Sequence, residues 1–186
     1  MNLLAPFAGT LYLPDKEFLG AGSPVLLPDG RPVAGIRWHV WSERFEVLDP
    51  SGAVLAECRP RGVFRRRYPV RMPDGRPVVD LRPGSWRPVN GAEVTLAGGR
   101  RLRVRQLSMW SNRRFEFSAA EGPVGRITPT TGTFTFRPDS YAFELFVPVL
   151  SGLQAVSLAQ ALRMVVRAMR RRRSSSGSGG GGGNGG

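Results

Sequence analysis

Leu27-Pro28-Asp29-Gly30-Arg31-Pro32-Val33 and Met72-Pro73-Asp74-Gly75-Arg76-Pro77-Val78 are nearly the same heptapeptide, set 45 residues apart in a chain of 186. Proline fixes φ, aspartate caps its own backbone and glycine accepts positive φ, so each copy reads as a hairpin turn. A weaker echo stands at Glu121-Gly122-Pro123-Val124-Gly125-Arg126. A hairpin unit used repeatedly suggests a meandering sheet, although Pro-Asp-Gly-Arg-Pro is equally readable as one good turn used twice.

The flanking segments alternate apolar and polar residues with the period of half-buried strands. Pro24 to Leu27 pairs with Pro32 to Val40 across Pro28-Asp29-Gly30, and Phe45 and Val47 pair with Val54 to Cys58 across Asp49-Pro50-Ser51-Gly52. Val70 and Met72 pair with Val79 and Leu81. Val94 and Leu96 pair with Leu102 and Val104 across Gly98-Gly99. Phe115 and Phe117 face Val124 to Ile127 across Glu121-Gly122, and Phe134 and Phe136 face Tyr141, Phe143 and Leu145 across Pro138-Asp139-Ser140.

After Pro148 the spacing becomes helical from Ser151 to Met169, with Leu153, Val156, Leu158, Ala159, Leu162, Val165, Val166 and Met169 covering most of the circumference. Gln154, Ser157, Gln160, Arg163 and Arg167 form a narrow polar stripe. A helix this apolar needs burial on nearly every side. The arginines interrupt it too often for a membrane span, which takes roughly 20 apolar residues. Arg170 to Arg173 end the helix and complement its dipole, and the Ser/Gly tail beyond reads as disordered.

A mean hydropathy of -0.20 is that of a globular protein of one domain. The organisation expected is an N-terminal segment over residues 1–10, a domain over 11–169 that closes with a helix at 151–169, and a basic run with tail over 170–186. The start of the chain lacks a basic, apolar leader, so a cytoplasmic location is expected. Cys58 is the one cysteine and His39 the one histidine, which excludes an intrachain disulfide and a four-ligand zinc site.

No nucleophile has an evident base, and His39, between Trp38 and Val40, reads as a strand residue. Nothing in the spacing of Asp80, Glu93 and Glu116 marks an acid/base pair. No glycine-rich phosphate loop precedes a helix. The chain is therefore read as a non-enzyme without cofactor or metal.

The formal charge is +13, carried by arginine except at Lys16. Arginine forks grip phosphate oxygens, but a GC-rich coding sequence explains the preference for arginine equally well. Arg101, Arg103 and Arg105 alternate on one strand face, and Arg65, Arg66, Arg67, Arg113 and Arg114 add charge near strand starts. Gathered on one side they make an anionic-ligand patch; scattered, they are a solvated surface. Three partners fit: an acidic phospholipid surface, an acidic protein, or nucleic acid with Trp38, Trp41, Trp86, Trp110 and Phe115 as stacking rings. The aromatic positions fall mostly on the core face, which weighs against nucleic acid.

Six hairpins followed by one apolar helix resemble the tubby C-terminal-like superfamily, which includes phospholipid scramblases and the LURP-one-related proteins. The segments that carry the resemblance are Phe45-Glu46-Val47-Leu48-Asp49-Pro50-Ser51-Gly52-Ala53-Val54-Leu55 and Val70-Arg71-Met72-Pro73-Asp74-Gly75-Arg76-Pro77-Val78. They read like the strand, Asp-x-x-Gly, strand units of the LURP-one-related group. The resemblance implies a mainly β fold: a closed antiparallel barrel of about twelve short strands around the C-terminal helix. It also implies binding of acidic membrane-lipid headgroups, peripherally at the inner membrane surface. Arg163, with Gln160 and Arg167, departs from a helix threaded through an apolar interior. Such a stripe faces a barrel seam, or the helix packs outside on an open sheet.

Overall fold

A computed structural model describes residues 2–14, 22–39, 41–62, 67–85, 88–107, 114–130 and 140–176. Among them, twelve strands and one helix follow in chain order. The first half of the wall is β1 (Pro6–Pro14), β2 (Ser23–Leu26), β3 (Pro32–His39), β4 (Arg44–Leu48), β5 (Val54–Cys58) and β6 (Tyr68–Arg71). The second half is β7 (Pro77–Arg82), β8 (Glu93–Leu96), β9 (Arg101–Gln106), β10 (Phe115–Ala119), β11 (Gly122–Pro129) and β12 (Ser140–Ser151), followed by α1 (Gly152–Ser176). Each strand pairs antiparallel with the next, and β1 pairs with β12, so the sheet is a closed up-and-down barrel with no free edge.

The two Pro-Asp-Gly copies fold alike. In each, the glycine N–H donates to the carbonyl three residues back (Gly30 to Leu27, Gly75 to Met72, 2.9 Å in both). The aspartate Oδ1 accepts from the N–H of Arg31 or Arg76 at 3.0 Å. Gly30 and Gly75 sit at φ 82° and 87°, where a β-carbon is strained. The repeated heptapeptide is thus a repeated hairpin.

The Asp49 turn is tied more tightly: its Oδ1 accepts from Ser51 N–H, Ser51 Oγ–H and Ala53 N–H at 2.8, 2.6 and 2.9 Å. The Ser51 hydroxyl chiefly, then the Ala53 N–H, hold its carboxyl below the usual carboxylate range. At Asp74 the Arg76 N–H and then the Arg76 side chain do the same. A folded-state pKa below the unfolded one stabilises the fold above the unfolded pKa, and that stabilisation is lost as pH falls through the folded value. Thermal stability is therefore expected to drop on acidification below about pH 4. Scanning Asp49→Asn alongside wild type should show a shallower drop, because the amide oxygen still accepts but no longer titrates.

The five hairpins from Pro24 to Ile127 stand as read. Closure differs. Phe134 and Phe136 lie outside the described residues, and both edges of β12 are taken by β11 and β1, with Ile127 and Leu11 each opposite Phe143. The segment read as an N-terminal lead over 1–10 is part of the barrel: β1 starts at Pro6, and Leu3 is buried with its carbonyl accepting from Leu153 N–H at 2.8 Å. The tight packing of β11 on β12 depends on Gly125, where a β-carbon would stand 2.4 Å from the Glu144 carbonyl oxygen and 3.3 Å from Leu145 Cα. Backbone atoms in a closed ladder cannot yield, so Gly125→Ala is expected to cost about 1–3 kcal/mol in urea unfolding.

α1 fills the barrel. Leu153, Ala155, Val156, Leu158, Ala161, Leu162 and Val165 are buried around its whole circumference, against Leu11, Ile36, Phe45, Leu81, Leu102, Phe117 and Phe143 of the wall. The helix is therefore inside, not on an open sheet. Its start is a reciprocal capping box: Ser151 N–H donates to Gln154 Oε1 at 2.9 Å and Gln154 N–H to Ser151 Oγ at 3.2 Å. Ser151 is thus the cap, and Gln154 belongs to it rather than to a solvent stripe. Ser157 and Gln160 are buried in the interior. At the other end the helix does not stop at Met169 but runs to Ser176, so Arg170 to Arg173 lie within it.

Candidate functional site at the helix-exit end

An up-and-down barrel sorts its connections by end. The tight turns after Leu27, Leu48, Met72, Leu96 and Ala119 all lie at the end where α1 begins, because strands alternate in direction from β1 onward. The opposite end, from which α1 emerges, receives the ends of β3, β5, β7 and β9 and the starts of β4, β6, β8 and β10. Arg44, Arg59, Arg61, Arg67, Arg82 and Arg114 stand at these strand ends, around the basic last turns of α1. Charge is asymmetric along the barrel axis.

Between the β3–β4 hairpin and α1 this end holds a cleft lined by Trp38, His39, Glu43, Arg44, Arg163, Met164, Arg167, Ala168 and Arg171. Arg163 explains its own presence on a buried helix: its guanidinium lies 4.6 Å from the centroid of the Trp38 ring, where the π face offsets desolvation of the charge. Arg171 reaches Glu43 and ties the hairpin to the helix. Glu46, nearly buried, gathers Arg37 Nη1, His39 Nε2 and Arg44 Nη2 at 3.3, 3.1 and 3.5 Å. His39 thus stands on the wall beside a carboxylate.

Among the residues lining the cleft, Glu43 is the one carboxylate against the guanidiniums of Arg44, Arg163, Arg167 and Arg171, a clear cationic excess. Trp38 Nε1 and Arg44 Nε are buried, and no acceptor among the described residues reaches either. Leaving a buried donor without an acceptor costs about 1–3 kcal/mol. The cleft is rich in donors and poor in acceptors, a composition suited to an oxyanion.

Of the arginines singled out from the sequence, those described do not converge into one patch. Arg101, Arg103 and Arg105 project from the outer wall on β9, opposite Thr95, Glu93 and Glu116 respectively. Arg105 Nη2 is paired with Glu116 at 2.9 Å, and Arg126 Nη2 with Glu144 at 2.7 Å, so this side of the wall is a cross-strand ladder of opposite charges. Arg67 is held by both oxygens of Asp80, with Nη2 to Oδ2 at 2.6 Å, and stands at the start of β6, separated from β9 by two strands. Arg114 is exposed at the helix-exit end. Arg65, Arg66 and Arg113 lie outside the described residues.

Asp80, Glu93 and Glu116 do not meet: Asp80 is bound to Arg67 and Arg82, and Glu116 to Arg105. Cys58 is buried, and that burial, then Glu57 and Asp80, pushes its thiol pKa far above the ordinary value. Among the described residues no group of His, Cys, Asp and Glu could hold a metal ion, and no helix is long and apolar enough to cross a membrane. Of the rings considered for base stacking, Phe115 is in the core, Trp38 is covered by Arg163, and Trp86 and Trp110 lie outside the described residues. Trp41 is exposed.

Fold and site together define a helix-filled antiparallel barrel with one basic end. A solved structure of a protein from Arabidopsis thaliana shares this fold, at a TM-score of 0.61 and 15% identity over 89% of this chain and 95% of that one. No family model and no curated protein matches the chain.

Proposed function

We propose that this chain is a non-enzymatic binding module that docks on acidic membrane lipid through its helix-exit end, and that it belongs with the LURP-one-related and tubby-like barrels. The observation that carries the reading is the cleft at that end, where arginines outnumber carboxylates and two buried donors find no acceptor among the described residues. Each basic residue near an acidic bilayer adds about 1 kcal/mol of attraction. The Asp-x-x-Gly hairpins support the kinship, and the location is peripheral, at the cytoplasmic face.

Co-sedimentation with vesicles is the test. The protein is expected to pellet with acidic phospholipid vesicles, to remain in solution with neutral ones, and to be released progressively as salt shortens the reach of its charges. Equal sedimentation with neutral vesicles, or none with acidic ones, would overturn the reading. Retention on single-stranded nucleic acid in the second case would redirect it to a nucleic-acid partner, and capture of an acidic protein from nuclease-treated lysate to an interaction scaffold.

A further inference from the structure

Trp41 has a relative exposure of 102%, and no other large apolar side chain among those described is as open. It sits on the β3–β4 turn at the helix-exit end, next to the basic cleft. The turn that carries it is held in an unfavourable form. Glu43 is the one described non-glycine residue at positive φ, at 48°, and its carboxylate turns back to Arg171 on α1. The hairpin is thereby pinned to the last turns of the helix while its indole points away from the protein. Leu107, just past the end of β9 and 43% exposed, adds a second apolar side chain at the same end.

An indole carries an apolar body and one N–H donor, a pairing that favours the boundary between headgroups and acyl chains. Arginines flank it on α1. An apolar tip within a cationic surface matches an acidic bilayer in both respects: the ring enters the interface while the guanidiniums meet the headgroup phosphates. A soluble anion would use the charges and leave the ring in water.

We infer that Trp41 is an interfacial anchor, and that the barrel docks end-on, with the helix-exit end down and the Pro-Asp-Gly turns pointing away from the membrane. The inference rests on the acidic-membrane reading and adds to it the depth and the orientation of docking. Because the Trp41 side chain is open to solvent, its replacement leaves the fold intact, which an unchanged thermal unfolding curve verifies.

The experiment follows tryptophan emission of the full chain on addition of acidic vesicles, with and without acyl chains brominated close to the headgroup. Wild type is expected to shift to the blue and to be quenched by the brominated lipid, and Trp41→Phe to lose most of both changes. Trp41→Ala is expected to bind about tenfold more weakly, as losing a buried aromatic should. Vesicle binding with the emission change intact in Trp41→Phe, or undiminished affinity in Trp41→Ala, overturns the anchor and leaves the electrostatic docking standing. No binding of wild type to acidic vesicles overturns both.

Discussion

Leu158→Ala is expected to lower the free energy of unfolding by about 2–5 kcal/mol, and Leu162→Ala by a similar amount. Both side chains lie within the barrel, at 0% and 1% exposure. The cost of such a truncation depends on how far the surroundings collapse into the space. Here they are a ring of twelve hydrogen-bonded strands that can move inward only by breaking its own ladder, so the upper half of the range is expected. Urea titration would show the midpoint fall with the slope unchanged. Arg170→Ala, exposed on the same helix, should stay within about 0.5 kcal/mol of wild type.

Removing the charges of α1 at the barrel end should weaken binding to acidic lipid. At about 1 kcal/mol for each basic residue near acidic lipid, the Arg167/Arg170/Arg171→Gln variant would lose about 3 kcal/mol if all three counted fully. Arg171 is already paired with Glu43, and Arg167 is also engaged within the fold, so each counts for less. About 2 kcal/mol remains, a loss of roughly 30-fold in affinity for acidic vesicles, which a vesicle titration at low salt would measure. The difference from wild type should shrink as salt rises, since screening removes from wild type what the substitutions remove from the variant.

The wall of the barrel was readable because its signals are local. Pro28-Asp29-Gly30 and Pro73-Asp74-Gly75 announce their own turns, and Val79, Leu81, Leu102 and Val104 point inward while Asp80, Arg101 and Arg103 do not. The helix was readable because residues apolar all round its circumference have nowhere to go but an enclosed interior. Closure was legible through the resemblance and not from the pairing signals of the residues themselves. Leu11 and Leu13 alternate like any strand, but β1 meets β12 from the far end of the chain, and no turn chemistry marks a partner so distant.

The candidate cleft was not legible for a related reason. Arg101, Arg103 and Arg105 form a conspicuous run, yet a strand places its alternate residues on the outer wall, where neighbouring strands supply Glu93 and Glu116. The residues that converge, Trp38, Arg44, Arg163 and Arg167, come from two hairpin strands and a helix more than a hundred positions later. A clue was present: the longer connections, after β1, β5, β7 and β9, all follow odd-numbered strands of the meander, so they share one end with the basic end of α1. Arg163, read as a departure from an apolar helix, marked the place where the helix leaves the barrel and meets Trp38.

Docking through the end rather than the wall is tested most directly by two variants on one vesicle preparation, Arg167/Arg170/Arg171→Gln and Arg101/Arg103/Arg105→Gln, at the same low salt. Both remove three positive charges, so a response to net charge alone would weaken them equally. If the helix-exit end is the docking surface, the first variant loses about 30-fold in affinity and the second stays within about threefold of wild type. Equal losses, or a larger loss from the wall variant, would contradict an end-on binding surface.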